Sequence, residues 1–312
     1  MSDLFLANYQ LGSKVKQVEK DFPDKRGRNF NEVFRKTGVR VRYEISGTED
    51  VLTLAISVVA PILGEIKTED IECLILITQS PTSLIPATSF YLHEKLGLSK
   101  NCATFDLAHG CSGFVYGLLL GHSLIKAGRV RSFLLVTSET YSKYIREEDT
   151  TTRPIFSDGA SAMFFSLTNL PEILASYFYT DGSGAGDLCL VREENISDNL
   201  NMNGIKVFTF TMNHVPMAIH ALLKEANLNL HEIDCFVFHQ ASEIVLKSLQ
   251  EKLEIPDDKM FKCLENFGNT VSSSIPIALI EAGKTGKILK GNKVLVVGFG
   301  VGLSVCGAVV IF

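Results

Sequence analysis

Three side chains suited to acyl chemistry occur in this sequence where predicted strands end and predicted helices begin. Cys111 follows an apolar strand-like segment and precedes a long apolar helix that stops at Gly128. His239 ends a second strand-like segment, and Asn269 lies in a turn just before another predicted helix. A cysteine thiolate attacks a thioester to give an acyl-enzyme, and His and Asn donate hydrogen bonds to a carbonyl oxygen. The set predicts covalent acyl transfer at Cys111.

The position of Cys111 favours a reactive thiol. Unpaired backbone N–H groups and the helix dipole stabilise an anion at a helix start, so we expect this thiol to ionise more easily than usual. Each residue also has an ordinary structural interpretation. Single cysteines are commonly core residues, a histidine at a strand end is commonly a satisfied polar group, and Asn269 is first of all a turn residue. The prediction therefore rests on the three residues together.

A Cys-His-Asn set can divide its work in two ways. In one, His239 and Asn269 both donate hydrogen bonds to a second thioester carbonyl and stabilise an enolate. In the other, which papain-like proteases use, the histidine deprotonates the cysteine and the asparagine orients the histidine. The strands and helices around the three residues help to decide between these two mechanisms.

The elements that must position these residues repeat along the chain. Residues 71–77 fall on 233–239 at a shift of 162 positions, the difference between 71 and 233, and Cys111 falls on Ser273 at the same shift. Order preserved at a fixed period is the signature of duplication. We infer two α/β copies, residues 1–170 and 171–312, each with a mostly parallel sheet between helices. Their strand ends and helix starts face each other, which argues against a protease.

The apolar periodicity predicts strands and helices in both copies. The loop at residues 181–204 is too long to be a mere connection. Residues 35–42 are basic and predict a loop or an edge, either as solvated surface or as a contact for ligand phosphate. The predicted helices cover residues 51–63, the stretch up to Leu96, 207–226 with a kink at Pro216, 241–253 and 273–281, and the predicted strands cover 71–77, 132–136, 159–167, 173–179, 233–238, 261–263, 293–297 and 304–312.

Composition excludes several classes of protein. The 312 residues are 46% hydrophobic, with 30 basic and 35 acidic side chains, which gives no support for binding nucleic acid or an anionic membrane. No apolar run reaches the roughly 18–20 residues of a membrane span, and the N-terminus lacks a signal-peptide pattern. Seven cysteines without a C-x-x-C pair predict a reducing cytoplasm and no metal site. We expect Cys73, Cys235 and Cys306 to be core residues.

Several motifs resemble those of one enzyme family. They include Asp106 with Cys111-Ser-Gly-Phe, together with His239-Gln-Ala-Ser, Gly268-Asn-Thr and Gly298-Phe-Gly-Val-Gly, and residues 37–39 and 156–159 fit as well. In order and spacing, over essentially the whole chain, they resemble β-ketoacyl-acyl-carrier-protein synthase III, a family of thiolase-fold condensing enzymes.

The resemblance implies a five-layered αβαβα fold, a homodimer and a decarboxylative Claisen condensation of an acyl group with a malonyl thioester. It implies no permanently bound cofactor, the substrates being thioesters of coenzyme A or of acyl carrier protein. Cys111 takes the acyl group, while His239 and Asn269 promote decarboxylation. The backbone N–H groups of Cys111 and Val301 hold the oxyanion, and Ile85 caps the acyl pocket of the partner subunit.

The residues that depart from the family pattern lie at positions that contact coenzyme A or the carrier protein in the family. Four positions differ. The family carries a Trp where this chain has Glu32, an Arg at Thr150, an Asn at Ile205 and a second Arg at Ile244. These changes make a specialised synthase, in a secondary-metabolite or surface-glycan pathway, at least as fitting as fatty-acid priming. His109 either faces the substrate tunnel or is a solvated turn residue. The candidates for contact with the thioester or its carrier are Arg35, Lys36, Arg153, Gly204 and Lys247.

Two alternatives stay open at this point. A synthase III-like acyltransferase could pass the acyl group to a hydroxyl or amine without decarboxylation, with His239 as general base. A non-catalytic dimer partner is the second alternative, and the intact Cys-His-Asn set argues against it.

Overall fold

Two five-stranded sheets form the centre of the chain, in a computed structural model that describes residues 4–24, 27–191 and 199–312. The elements of the first half are β1 (Ala7–Leu11), β2 (Lys14–Gln17), α1 (Phe30–Thr37), β3 (Val41–Glu44), α2 (Val51–Val59), β4 (Cys73–Ile77), α3 (Thr88–Leu96), β5 (Ala103–Leu107), α4 (Gly113–Lys126), β6 (Ser132–Glu139) and β7 (Gly159–Ser166). The elements of the second half are β8 (Glu172–Thr180), β9 (Leu188–Val191), β10 (Asn199–Met202), α5 (Gly204–Glu225), β11 (Cys235–Phe238), α6 (Glu243–Lys252), β12 (Met260–Phe261), α7 (Leu264–Phe267), α8 (Ser274–Lys284), β13 (Lys293–Gly300) and β14 (Ser304–Ile311).

The two sheets have the same strand order. The first runs β1-β7-β6-β4-β5 and the second β8-β14-β13-β11-β12, so each strand of one has a counterpart in the other. In both sheets the three strands at one end are parallel and the next two pairings are antiparallel. This common topology confirms the duplication. The boundary between residues 170 and 171 falls between β7 and β8, and the division there stays our interpretation.

The alternation of side chains along the strands produces five layers. In β4, Leu74 and Leu76 pack with α2 and α3, whereas Ile75 and Ile77 face the other way, toward α4 and α8. The second sheet mirrors this, with alternate residues of β11 facing α4 and α8 on one side and α5 and α6 on the other. The layers are therefore helix, sheet, paired central helices, sheet and helix, as predicted. Fully buried Cys73, Cys235 and Cys306 confirm the prediction that these cysteines belong to the core.

The constant shift of 162 positions holds only near the centre of the repeat. Cys73 and Cys235 begin β4 and β11 and differ by 162 positions, whereas Gly159 and Ser304 begin β7 and β14 and differ by 145. The prediction of a uniform shift was wrong because the loops of the two halves differ in length. Near Cys111 the shift is within one position of the predicted value, since α4 begins at Gly113 and α8 at Ser274, a difference of 161.

Residues 35–42 were predicted as a loop or an edge, and they comprise the last turn of a helix, a short loop and the start of β3, an edge strand of the two-stranded sheet β2-β3. Arg35 and Lys36 lie in the last turn of α1, and Arg42 lies in β3 with 1% of its surface exposed. The Arg42 guanidinium is not solvated, because it pairs with Glu44 at 2.5 Å and Asp21 at 3.4 Å.

The long loop at residues 181–204 contains secondary structure in its described part. The strands β9 and β10 pair antiparallel there, while residues 192–198 lie outside the described residues. In the three described ranges, none of the helices is both long and apolar enough to cross a membrane.

Candidate active site

Cys111, His239 and Asn269 line one cavity of about 430 Å³. Cys111 lies just before α4 in the first half, whereas His239 follows β11 and Asn269 follows α7 in the second half. The three side chains are 5%, 2% and 4% exposed, so they meet in a buried space. The structure thus brings together the three residues that the sequence predicted as a set. Within the described residues, the structure contains no cluster of three or more His, Cys, Asp or Glu residues that could hold a metal ion.

The Cys111 thiol is buried, and burial controls its ionisation. Burial raises the pKa of the Cys111 thiol to about 12, and the carboxylate of Glu139 adds to the increase. The backbone N–H groups of Val301 and of Cys111 itself act in the opposite direction. The expectation of easier ionisation is wrong for the free protein, because a helix start contributes at most about 2 kcal/mol, less than the desolvation of a buried thiolate. The two N–H groups are the predicted oxyanion donors.

The His239 ring is held neutral in this cavity. Its Nδ1 lies 2.6 Å from the Ser274 hydroxyl, and the backbone N–H of Gln240 points at that same hydroxyl oxygen from 3.4 Å. Burial lowers the pKa of His239 to about 3, and the backbone of Val271 only partly opposes this. The hydroxyl that accepts from Gln240 keeps its own hydrogen, and when it donates this hydrogen to Nδ1 the ring hydrogen lies on Nε2. In that tautomer His239 presents a neutral N–H donor.

Asn269 presents a second donor beside it. Its Oδ1 accepts from the backbone N–H of Val271 at 2.9 Å, which fixes the amide so that Nδ2 faces His239. Nδ2 donates to the Ala241 carbonyl at 3.3 Å and lies 3.5 Å from Nε2 of His239. With the ring hydrogen on Nε2, two neutral donors lie 3.5 Å apart in the wall of the cavity, and such a pair can bind a developing oxyanion.

The predicted contacts for the thioester or carrier divide into two groups. Arg35, Lys36 and Gly204 line the cavity with the catalytic set. Arg153 does not line it, because its guanidinium pairs with Glu44 at 3.5 Å and Glu147 at 3.8 Å in another groove.

Three further residues also lie away from this cavity. Lys247 is paired with Glu251 at 3.8 Å on the outer face of α6. The Ile85 side chain is 89% exposed and does not reach either cavity of its own subunit. His109 is an exposed residue whose ring stacks on Tyr116 at 4.3 Å, so it does not face the tunnel.

A second cavity, of about 330 Å³, lies next to Cys111. Val301, Tyr141 and Leu188 are on its wall, and the last two pack with Cys111 in one apolar cluster. Its size and mostly apolar lining suit the acyl part of a thioester. Sequence reasoning missed Tyr141. It lies in a segment rich in charged residues and threonine, and this composition is typical of a solvated loop.

A buried glutamate links the segments around the site and was also missed. Glu139 at the end of β6 accepts hydrogen bonds from the Gln79 backbone at 3.0 Å, the Ser80 hydroxyl at 3.0 Å and the Ser272 hydroxyl at 2.7 Å. Burial raises the pKa of Glu139 to about 7. The run of three serines at the start of α8 was a usable signal, since Ser272 bonds to Glu139 and Ser274 bonds to His239.

Gly300 approaches the nucleophile so closely that a larger residue should block it. Its φ is 148°, and a Cβ there would lie 3.1 Å from Sγ of Cys111. We expect Gly300→Ala to slow acylation of Cys111 by at least about tenfold, because strain at such a φ costs about 1–3 kcal/mol. The rate of adduct formation, followed by intact mass, measures the effect. Gly186→Ala is the control, since no atom lies within 4 Å of its added Cβ, and equal slowing in both variants would contradict the prediction.

The comparisons with known proteins agree with this fold. Family models described as 3-oxoacyl-[acyl-carrier-protein] synthase III match residues 105–182 and, for the C-terminal part, 223–312. The chain is 35% identical over 285 residues to the β-ketoacyl-[acyl-carrier-protein] synthase III of Clostridium perfringens, covering 86% of each chain. It is 33% identical over 291 residues to that of Porphyra purpurea, covering 88% of each.

Solved structures give the same result. A crystal structure of a 3-oxoacyl-(acyl-carrier-protein) synthase III superposes with a TM-score of 0.90 at 32% identity, covering 98% of both chains. The enzyme from Aquifex aeolicus superposes at 0.89 with 27% identity, covering 99% of both. Fold and site together define an acyl-transferring enzyme of the thiolase fold. The chain belongs to the β-ketoacyl-[acyl-carrier-protein] synthase III family.

Proposed function

We propose that this chain joins a Cys111-bound acyl group to a malonyl thioester with loss of carbon dioxide, the condensation of a β-ketoacyl-acyl-carrier-protein synthase III. The observation that carries the residue assignment is the pair of neutral donors, His239 Nε2 and Asn269 Nδ2, in the cavity that holds the thiol. The family relationship to named synthases supports the reaction itself.

In the first step the Cys111 sulfur attacks the carbonyl carbon of the incoming acyl thioester. The carbonyl electrons move to oxygen, and the backbone N–H groups of Cys111 and Val301 stabilise that oxyanion. Collapse of the intermediate breaks the carbon–sulfur bond of the donor and releases its thiol. The acyl group then extends into the apolar cavity beside Tyr141 and Leu188.

In the second step a malonyl thioester enters the emptied cavity. Its carboxyl carbon leaves as carbon dioxide, and the bonding electrons pass to the thioester oxygen as an enolate. His239 and Asn269 donate hydrogen bonds to that oxygen. The enolate carbon attacks the acyl carbonyl on Cys111, a carbon–carbon bond forms, and the sulfur leaves as thiolate, which takes a proton.

Transfer to a hydroxyl or amine is the less well supported alternative. It needs a general base whose pKa lies near the working pH, whereas burial lowers the pKa of His239 to about 3. A ring that holds no extra proton at neutral pH suits hydrogen-bond donation to an enolate.

The donor substrates are thioesters of coenzyme A or of acyl carrier protein, with no cofactor held permanently. Arg35 and Lys36 lie at the cavity wall, where they can contact the phosphates of either carrier. Glu32 on the same wall opposes a second anion, which favours a donor with one phosphate close to the mouth. The cytoplasmic location and the specialised pathway stay predictions.

Product analysis tests the proposal directly. Purified protein is incubated with acetyl thioester and malonyl-acyl carrier protein, and the products are separated by mass spectrometry. We expect a β-ketoacyl thioester together with one released carbon dioxide. An ester or amide formed without carbon dioxide supports the alternative, and absence of both products contradicts acyl transfer by this chain.

The pH dependence of thiol labelling follows from the burial of Cys111. Because its pKa is raised to about 12, the thiolate fraction increases about tenfold for each pH unit below that value. We expect the alkylation rate of Cys111 in the free protein to increase in this way from pH 7 to 9 without a plateau. Peptide mapping of iodoacetamide-treated protein measures it. A plateau below pH 8 would show that the backbone donors outweigh burial.

We further propose that the chain is a homodimer. The segment between β4 and α3 exposes Leu84 at 78% and Ile85 at 89%, and the first turn of α3 exposes Phe90 at 55%. Next to them, β5 is the edge strand of the first sheet. In a dimer this segment is covered, and Ile85 reaches the partner's acyl cavity, as the family resemblance implies.

A charge in the apolar segment should separate the subunits. We expect Ile85→Asp to convert the dimer into a monomer, because burying an unpaired carboxylate costs several kcal/mol. Light scattering after gel filtration gives the mass. Leu289→Asp is the control, since Leu289 is 60% exposed and lies after α8. A wild-type monomer, or an Ile85→Asp dimer, refutes the assignment of this face.

A further inference from the structure

A tyrosine–glutamine pair lies on the wall of the second cavity, where an acyl chain would be expected to meet only apolar groups. Tyr141 is 4% exposed, and its hydroxyl donates to Oε1 of Gln79 at 2.6 Å. Nε2 of Gln79 donates to the Ala108 carbonyl at 3.2 Å. A side chain at Gly110 would collide with the Gln79 amide, so this amide packs directly against the residue before Cys111.

The pair keeps hydrogen-bonding capacity that it does not use. An amide nitrogen carries two hydrogens, and Ala108 takes one. The phenolic oxygen of Tyr141 donates to Gln79 and keeps its lone pairs. Among the described residues no further hydrogen bond occupies the second amide hydrogen or these lone pairs. The cavity therefore contains one donor and one acceptor within a single side-chain pair.

Several other residues of the wall suit a hydrocarbon. Pro81, Leu190 and Leu200 line it together with Leu84 at the outer side. A purely aliphatic chain fills this space but covers the buried Tyr141 oxygen and the half-exposed Gln79 amide without matching the unused lone pairs and hydrogen, which is unfavourable. A chain carrying one hydroxyl satisfies both, since a hydroxyl donates one hydrogen and accepts another.

We infer that the acyl group taken by Cys111 is a hydroxyacyl group, whose hydroxyl binds between Gln79 and Tyr141. This inference rests on the proposed acylation of Cys111 and adds the chemical class of the acyl donor. Gln79 donates to the substrate oxygen, and the substrate hydroxyl donates to Tyr141. No bond to the hydroxyl is formed or broken, so the group is recognised and passes unchanged into the condensation product.

Acylation rates with matched thioesters test the inference. The probes are pantetheine thioesters of hexanoate and of 3-, 4- and 5-hydroxyhexanoate, so that chain length is constant and the hydroxyl position varies. Intact mass follows adduct formation on Cys111 under subsaturating conditions. We expect at least one hydroxyhexanoyl thioester to react about tenfold faster than hexanoyl thioester, the effect of one buried hydrogen bond.

Two variants and one control identify the recognising groups. Gln79→Leu and Tyr141→Phe each remove a partner, and we expect the preference to fall to near one in both. Leu200→Met changes the same wall without changing its polarity, and we expect it to keep the preference. Circular dichroism and thermal unfolding show that each variant is folded.

The outcomes separate this inference from the proposed function. If hexanoyl thioester reacts as fast as every hydroxyl form, or if the preference persists in both variants, the inference is wrong while acylation of Cys111 stands. If none of the thioesters acylates wild-type Cys111, the proposed function fails and the inference fails with it.

Discussion

Cys111→Ser protein is expected to form no stable acyl adduct, yet still to release carbon dioxide from a malonyl thioester. The serine hydroxyl fits the space of the thiol, but it ionises far less readily, and burial raises even the pKa of the thiol to about 12. Acylation should therefore fall by at least about a thousandfold, which corresponds to roughly 4 kcal/mol in the barrier. Decarboxylation depends on His239 and Asn269, and both remain in place.

Two measurements on one preparation test this separation. Intact mass after incubation with acetyl thioester reports the adduct, and release of labelled carbon dioxide from malonyl thioester reports the enolate step. Cys189→Ser is the matched control, because Cys189 lines the second cavity and is only half-buried. If the Cys111→Ser protein forms as much adduct as the wild type, Cys111 is not the nucleophile.

Much of the architecture could be predicted because it is encoded locally. Residues 73–77 are apolar throughout, which marks a strand covered on both faces, and β4 is fully buried. Gly97 was predicted to end a helix, and α3 ends there with Gly97 at a φ of 63°. The meeting of Cys111, His239 and Asn269 in one cavity was predictable because duplication places the halves face to face, so that residues far apart in sequence come together.

What could not be predicted depends on contacts between distant segments. Arg42 appeared to be surface charge, and only the fold brings Asp21 and Glu44 to it. Glu139 and Tyr141 were not singled out, because their partners Ser272 and Gln79 are far from them in sequence. The pKa of Cys111 was misjudged for the same reason, since a helix start is visible in the sequence and desolvation is not.

Asn269→Asp is expected to stop decarboxylation while leaving acylation of Cys111 intact. Aspartate has the same shape, and its Oδ1 can still accept from the Val271 N–H. Its second oxygen replaces Nδ2, however, and then faces the Ala241 carbonyl and Nε2 of His239 at about the 3.3 and 3.5 Å that Nδ2 has now. A negative charge at the place where the enolate forms reverses the donor's effect, and we expect a loss of about a thousandfold or more.

The pH profile distinguishes this electrostatic effect from damage to the fold. Burial raises the pKa of a carboxyl group, so the variant's aspartic acid becomes protonated as pH falls and can again donate a hydrogen bond. Decarboxylation by the variant should therefore increase toward low pH, whereas neutral His239 and Asn269 make the wild-type step nearly independent of pH from 6 to 9. Asn266→Asp adds the same charge on an exposed part of α7 and should change neither rate. A variant that loses acyl adduct formation as well, or whose decarboxylation does not recover at low pH, would instead assign Asn269 a structural role.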